Sequence, residues 1–109
     1  MLTFAQFIAL TGHSDDEYTF EVKALDDADL EAVGAVYAIT RQEDDEHVVL
    51  YVGHTGDLSD RFKRHHKTEC FDENDADCLC VHQDADKRSR LKKETDLIKG
   101  YRPVCNGAQ

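Results

Sequence analysis

Tyr51, Arg61, His65 and Glu94 supply, in that order along the chain, the groups a metal-dependent phosphodiesterase needs. Tyr51 stands in Tyr51-Val52-Gly53; Arg61 follows ten residues later and His65 lies four beyond it. Residues four apart on a helix share a face. A guanidinium there can grip a phosphate through two hydrogen bonds and offset the charge that builds in a transition state. An imidazole beside it can pass a proton or orient a hydroxyl. Tyr37 closes an apolar run one hairpin upstream. A phenol, with a reference pKa of about 10, must lose its proton to act as a base. Positive charge from Arg61, from a metal, or from His54 at the strand exit would lower that cost.

Glu94 lies between Leu91 and Ile98 on the apolar stripe of the last long helix, and Asn106 follows twelve residues later. A carboxylate on such a stripe loses hydration unless a cation or donors meet it. Arg90, one helical turn earlier, is one available partner. A divalent cation is the other: Mg²⁺ is commonly held by one or two carboxylates, with water and substrate phosphate completing its shell.

The elements that must position these side chains are readable from pattern. Thr3 is placed to cap a short helix with Phe4, Phe7 and Ile8 on one face, ending at Gly12. Tyr18, Phe20, Val22 and Ala24 alternate with polar residues and predict a half-buried strand. Asp26 to Val33 suits one or two helical turns. Ala35 to Thr40 and Val48 to Gly53 predict the two strands of a hairpin, joined by the polar segment Arg41 to His47. Asp57 or Ser59 can cap a helix reaching Lys67, with Leu58 and Phe62 inward. An acidic loop from Thr68 to Asp77 precedes a strand at Cys78 to Val81. The last helix starts at Asp84 or Asp86, runs to about Lys99 and stops at Gly100.

With 109 residues, 40% of them hydrophobic and no Trp, the chain has room for one small core. No apolar run approaches the ~18 residues of a membrane span. Met1-Leu2-Thr3-Phe4 lacks a basic n-region, so a cytoplasmic protein is expected. The four cysteines, Cys70, Cys78, Cys80 and Cys105, are then expected as free thiols. Cys78, Cys80 and His82 share a strand face, but their spacing is not that of a zinc site.

The net charge of −10 is unevenly spread. Residues 1–60 hold 14 acids and 2 bases, residues 61–109 hold 9 acids and 11 bases. The bases cluster at Arg61, Lys63, Arg64 and Lys67, and again from Lys87 to Lys93, including Arg90. Such clusters can neutralise phosphates locally in an acidic protein. Tight unassisted binding to DNA is not expected.

Order and spacing together resemble the GIY-YIG nuclease family. The resemblance rests on Val36-Tyr37, Tyr51-Val52-Gly53-His54-Thr55, Arg61, His65, Arg90 with Glu94, Leu97-Ile98, Pro103 and Asn106. Ala35 stands where the family usually has glycine. The resemblance implies an α/β (α+β) fold, a small three-stranded antiparallel sheet flanked by helices over residues 34–109. An acidic N-terminal extension over 1–33 has no counterpart in the family. It further implies one-metal hydrolysis of a DNA phosphodiester, with Mg²⁺, or Mn²⁺ in its place, held by Glu94. Tyr37 would be the general base, helped by His54. Tyr51 and Arg61 would bind the scissile phosphate, His65 would support proton transfer or phosphate contact, and Asn106 would fix the last segment. Apart from the resemblance, the basic clusters make Lys63, Arg64, Lys67 and Arg90 the candidate nucleic-acid contacts, a charge pattern compatible with DNA binding and not itself evidence for it. Two other readings compete. One is a weak or inactive module of this fold that binds a protein partner, motivated by the acidic half. The other is a surface adapted to high salt, since 15 of the 23 acids are Asp.

Overall fold

Five strands make one antiparallel sheet in the computed structural model, which describes residues 6–26, 30–63 and 68–107. They are β1 (Gln6–Thr11), β2 (Glu17–Ala24), β3 (Ala35–Glu43), β4 (Glu46–Thr55) and β5 (Cys78–Gln83), in the order β1-β2-β5-β3-β4. Two hairpins, β1–β2 and β3–β4, are joined by β5, which pairs with β2 on one side and β3 on the other. The helices are α1 (Leu58–Lys63), α2 (Thr68–Glu73) and α3 (Lys87–Tyr101), followed by a 3-10 turn at Val104–Asn106.

Strand β3 lies inside the sheet, and its residues from Ala35 to Thr40 are all buried. Alternation sends them to opposite faces. Ala35, Tyr37 and Ile39 join Leu58, Phe71 and Cys105 on the face under α1, α2 and the 3-10 turn. Val36 and Ala38 join Phe20, Val52 and Leu97 on the face under α3. A strand covered on both faces has to be apolar throughout, which is why it reads as an unbroken run.

The sheet is larger than the three strands expected, because β1 and β2 extend it through β5. The expected N-terminal helix is corrected: residues 6–11 are strand β1, while its cap and first apolar residue, Thr3 and Phe4, lie outside the described residues. Phe7 and Ile8 fit a helical stripe, but Ile8 and Leu10 also share one face of a strand paired with β2, where Leu10 is buried and Ile8 half-buried. The helical turns expected over Asp26 to Val33 are absent from Asp26 and from residues 30–33; residues 27–29 lie outside the description. Here the backbone bonds elsewhere: Val33 O accepts from Leu58 N and Gly34 O from Asp84 N.

The acidic segment expected as a loop contains α2, where Phe71 is buried and Glu69 suits the positive end of the helix. Helix α3 starts as expected, with the Asp86 side chain accepting from Ser89 N at 2.9 Å. It runs through Gly100, which packs closely against the backbone of Gly12 and His13. It stops where Arg102 turns left-handed and donates its N–H to Ile98 O. Of the four cysteines, Cys78 and Cys80 are free and buried. The expectation of free thiols fails at Cys70 and Cys105, which form a disulfide tying α2 to the 3-10 turn. No described helix is long and apolar enough to cross a membrane.

Candidate active site at the exit of strand β4

Tyr37, Tyr51 and Arg61 meet over Gly53. Tyr37 comes from the centre of β3, where it pairs with Gly53 of β4. A methyl group on Gly53 would lie 2.6 Å from the Tyr37 hydroxyl and 2.9 Å from Cε2 of Tyr51. Only glycine fits there. The two tyrosine rings sit 6.0 Å apart at 35°, and Tyr51 also packs on Phe71. Arg61, on α1, donates its Nε hydrogen to the Tyr37 hydroxyl at 3.1 Å. Burial pushes the Tyr37 phenol well above the usual tyrosine range, while the Arg61 guanidinium pulls the other way. The same hydrogen bond strengthens the protonation of Arg61. This is a fixed cation braced by a phenol.

On the other side of Gly53, His54 meets Glu94. The two are neighbours because His54 faces α3 from the strand exit and Glu94 lies on the inner stripe of that helix. Nε2 of His54 lies 3.9 Å from Oε1 of Glu94, with both side chains about four-fifths buried. Burial lowers the His54 pKa, and Arg90, Lys87 and Arg61 lower it further, so the imidazole is neutral near pH 7. The pair is therefore a carboxylate beside an uncharged ring, not an ion pair. Burial raises the Glu94 pKa, opposed by Arg61. Arg61 thus faces both halves of the site: it touches Tyr37, and its charge reaches His54 and Glu94.

Asn106 holds the strand between the two halves. Its Oδ1 accepts from Val52 N at 2.9 Å and its Nδ2 donates to Val52 O at 2.8 Å. Strand β4 is an edge strand, and this side-chain amide supplies the pairing a neighbouring strand would give. The Cys70–Cys105 disulfide anchors the residue just before it. Sequence reasoning missed that link, because a pairing 35 residues apart leaves no local signal.

The basic residues divide. Lys63 belongs to α1, while Arg64, His65 and Lys67 lie outside the described residues. Arg90 is not a surface residue: it is 6% exposed, with Nη1 donating to Asp84 O at 3.0 Å. It does not pair with Glu94. The inner stripe of α3 is Arg90, Glu94 and Leu97, whereas Leu91 is 42% exposed. Placing Leu91 on the stripe put the apolar face one residue out of phase. Lys93 is engaged too, 2.9 Å from Asp84 Oδ2 and 2.8 Å from His82 Nε2.

A hollow of about 660 Å³ lies away from this site, between His13, Tyr18 and the Asp96 side of α3. The acidic hairpin tip at Asp44 and Asp45 sits at the opposite end of β4, roughly 23 Å from Gly53 at about 3.3 Å per residue. Its charge therefore does not screen the site.

Among known families, that of the GIY-YIG catalytic domain matches residues 33–109. No curated protein and no solved structure gives a significant match.

Proposed function

The chain belongs to the GIY-YIG catalytic domain family, a family of nuclease-type phosphodiesterases acting on nucleic acid, and we propose that it is a metal-dependent DNA endonuclease. The observation that carries this is the convergence of Arg61, Tyr37 and Tyr51 with Glu94 and His54 about one side-chain-free strand position, Gly53.

The residues present fit a hard divalent cation. Glu94 is a largely buried carboxylate whose neighbour at 3.9 Å is a neutral ring, so burial is offset only by the charge of Arg61. No cluster of three metal-ligating side chains exists among the described residues. A single protein carboxylate, with water and phosphate oxygens as the other ligands, is the arrangement Mg²⁺ commonly adopts. Mn²⁺ would serve similarly. When bound, the metal would stabilise charge on the phosphate and the leaving oxygen.

The chain's own groups divide the remaining work. Arg61 binds a non-bridging oxygen of the scissile phosphate, and its bond to Tyr37 fixes the direction of approach. Tyr51 donates to the same phosphate from the strand. Tyr37 would be the proton acceptor for the attacking water once substrate binding brings that water to its fully buried hydroxyl, and Arg61 against its oxygen is the feature that favours the phenolate. Burial opposes that ionisation, so the base is scarce at neutral pH. His54, neutral and beside Glu94, orients or accepts a proton from water held there. By the family resemblance His65 would support phosphate contact, and the sequence places the positive charges of Lys63, Arg64 and Lys67 beside it. Asn106 keeps Tyr51, Gly53 and His54 in register. With a net charge of −10, recruitment to DNA by a protein partner fits this reading. The test is incubation of supercoiled plasmid and of branched DNA with Mg²⁺, Mn²⁺ or EDTA. Cleavage with either metal and none in EDTA is expected; a folded protein that cuts neither substrate would overturn the proposal.

A further inference from the structure

Arg90 is a buried cation without a counter-charge. It is 6% exposed, its Nε has no hydrogen-bond partner, and its one bond is from Nη1 to a backbone oxygen, Asp84 O. Neither nearby acid pairs with it. The Asp84 carboxylate holds Lys93, and Glu94 faces His54. No carboxylate forms an ion pair with Arg90 among the described residues. Taking an ionised guanidinium out of water without such a partner is costly. Most proteins would place an apolar side chain at this point of a helix stripe.

The surroundings are shaped to keep it there. A methyl group on Gly34, just before β3, would lie 2.6 Å from Nη1 of Arg90. On the other side Nη2 lies 3.7 Å from where a methyl group on Gly56 would be. Gly56 is exposed and belongs to the turn that leads from His54 into α1. The guanidinium therefore sits under a thin, side-chain-free stretch of backbone at the exit of the active strand. Its field reaches the site, where it contributes to keeping His54 uncharged.

We infer that Arg90 is a substrate-positioning residue: its uncompensated charge beneath the Gly56 turn attracts a phosphate of the bound nucleic-acid strand onto the β4 exit, next to Glu94 and His54. The inference rests on the nuclease reading above and adds a second phosphate position to the one held by Arg61. The missing counter-charge is supplied by the substrate, so stability is given up for binding.

That trade sets the test. Binding of a fluorescent 20-base-pair DNA duplex is measured by anisotropy in EDTA, over a range of NaCl concentrations, for the whole chain, Arg90→Met and Arg90→Lys. Thermal melting is recorded for each. Arg90→Met is expected to bind on the order of tenfold more weakly, as for loss of one charge facing a phosphate in a partly screened site, and with a shallower salt dependence. Its melting temperature is expected to hold or rise, and Arg90→Lys to recover most of the binding and the salt slope. Equal binding by Arg90→Met and wild type would overturn the inference alone. So would a variant whose weaker binding accompanies a marked fall in melting temperature, with the salt slope unchanged, since Arg90 would then be structural. A wild type that neither binds the duplex nor cuts DNA with Mg²⁺ would overturn the nuclease reading, and this inference with it.

Discussion

Gly53→Ala should disable the site while leaving the fold standing. The added methyl carbon would lie 2.6 Å from the Tyr37 hydroxyl, against 3.4 Å for ordinary contact, so something must move by about 0.8 Å. Tyr37 has no exposed surface into which it can turn, and Tyr51 blocks the other direction at 2.9 Å. A displacement of that size directed away from Arg61 would take the 3.1 Å separation to about 3.9 Å, beyond a hydrogen bond, and one directed toward it would compress the contact; either disturbs the pair. Overpacking of this kind costs roughly 1–3 kcal/mol. Melting should fall by about 4–8 °C per kcal/mol for a domain near this size. Misplacing a reacting group by about 1 Å can cost a factor on the order of 100 in rate. The assay is single-turnover plasmid cleavage at saturating DNA, with melting followed by circular dichroism. Gly56→Ala is the control for melting alone: its methyl group meets only ordinary contact, 3.7 Å from Arg90 Nη2, so it should melt as wild type. Gly53→Ala that cleaves at the wild-type rate and melts at the wild-type temperature would refute the packing of Tyr37 on Gly53.

The pH dependence of the chemical step separates two bases. Burial raises Tyr37, so with the phenolate as base the rate should climb steadily from pH 6 to 9 and level off only above the ordinary tyrosine range of about 10. His54 is lowered, so a plateau starting below pH ~6.5 would transfer the role to it. Asn106→Leu removes both bonds to Val52 and leaves an edge N–H and C=O unmatched. It should cost about 1–3 kcal/mol by denaturant unfolding and slow cleavage more than it weakens DNA binding. Reducing the Cys70–Cys105 bond releases a 35-residue loop constraint, worth about 4 kcal/mol in the chain-entropy account. Urea melts with and without a thiol reductant should differ by roughly that amount.

Much of the scaffold was legible because its signals are local. The apolar run from Ala35, the polar tip and the run to Gly53 marked the β3–β4 hairpin, and Asp86 marked the start of α3. The N-terminal strand was not legible, since Phe7 and Ile8 satisfy a helical period and only pairing with β2 decides the matter. The same limit hid α2, whose order comes from burying Phe71 and tethering Cys70. Tyr37, Tyr51, Arg61, His54 and Glu94, which the fold brings together, were singled out from residue types in sequence order. Two features depend on depth and could not be: the slot that Gly53 leaves for the Tyr37 hydroxyl, and the burial of Arg90. The stripe Arg90, Glu94, Leu97 was visible in principle at helical spacing, but Leu91 beside it offered a more apolar alternative. A charged residue at an inner position is the signal that hydrophobic patterning discards.

Glu94 is the carboxylate proposed to hold the metal. Mg²⁺-dependent cleavage of supercoiled plasmid by Glu94→Gln, compared with wild type under the same conditions, tests this most directly, because the substitution keeps size and shape while removing the charge and exchanging one acceptor oxygen for an amide donor. Loss of metal-dependent cleavage by at least a factor on the order of 100, with melting temperature retained, is predicted. A Glu94→Gln protein that still cuts at the wild-type rate, with the same Mg²⁺ dependence, would contradict the assignment of this site.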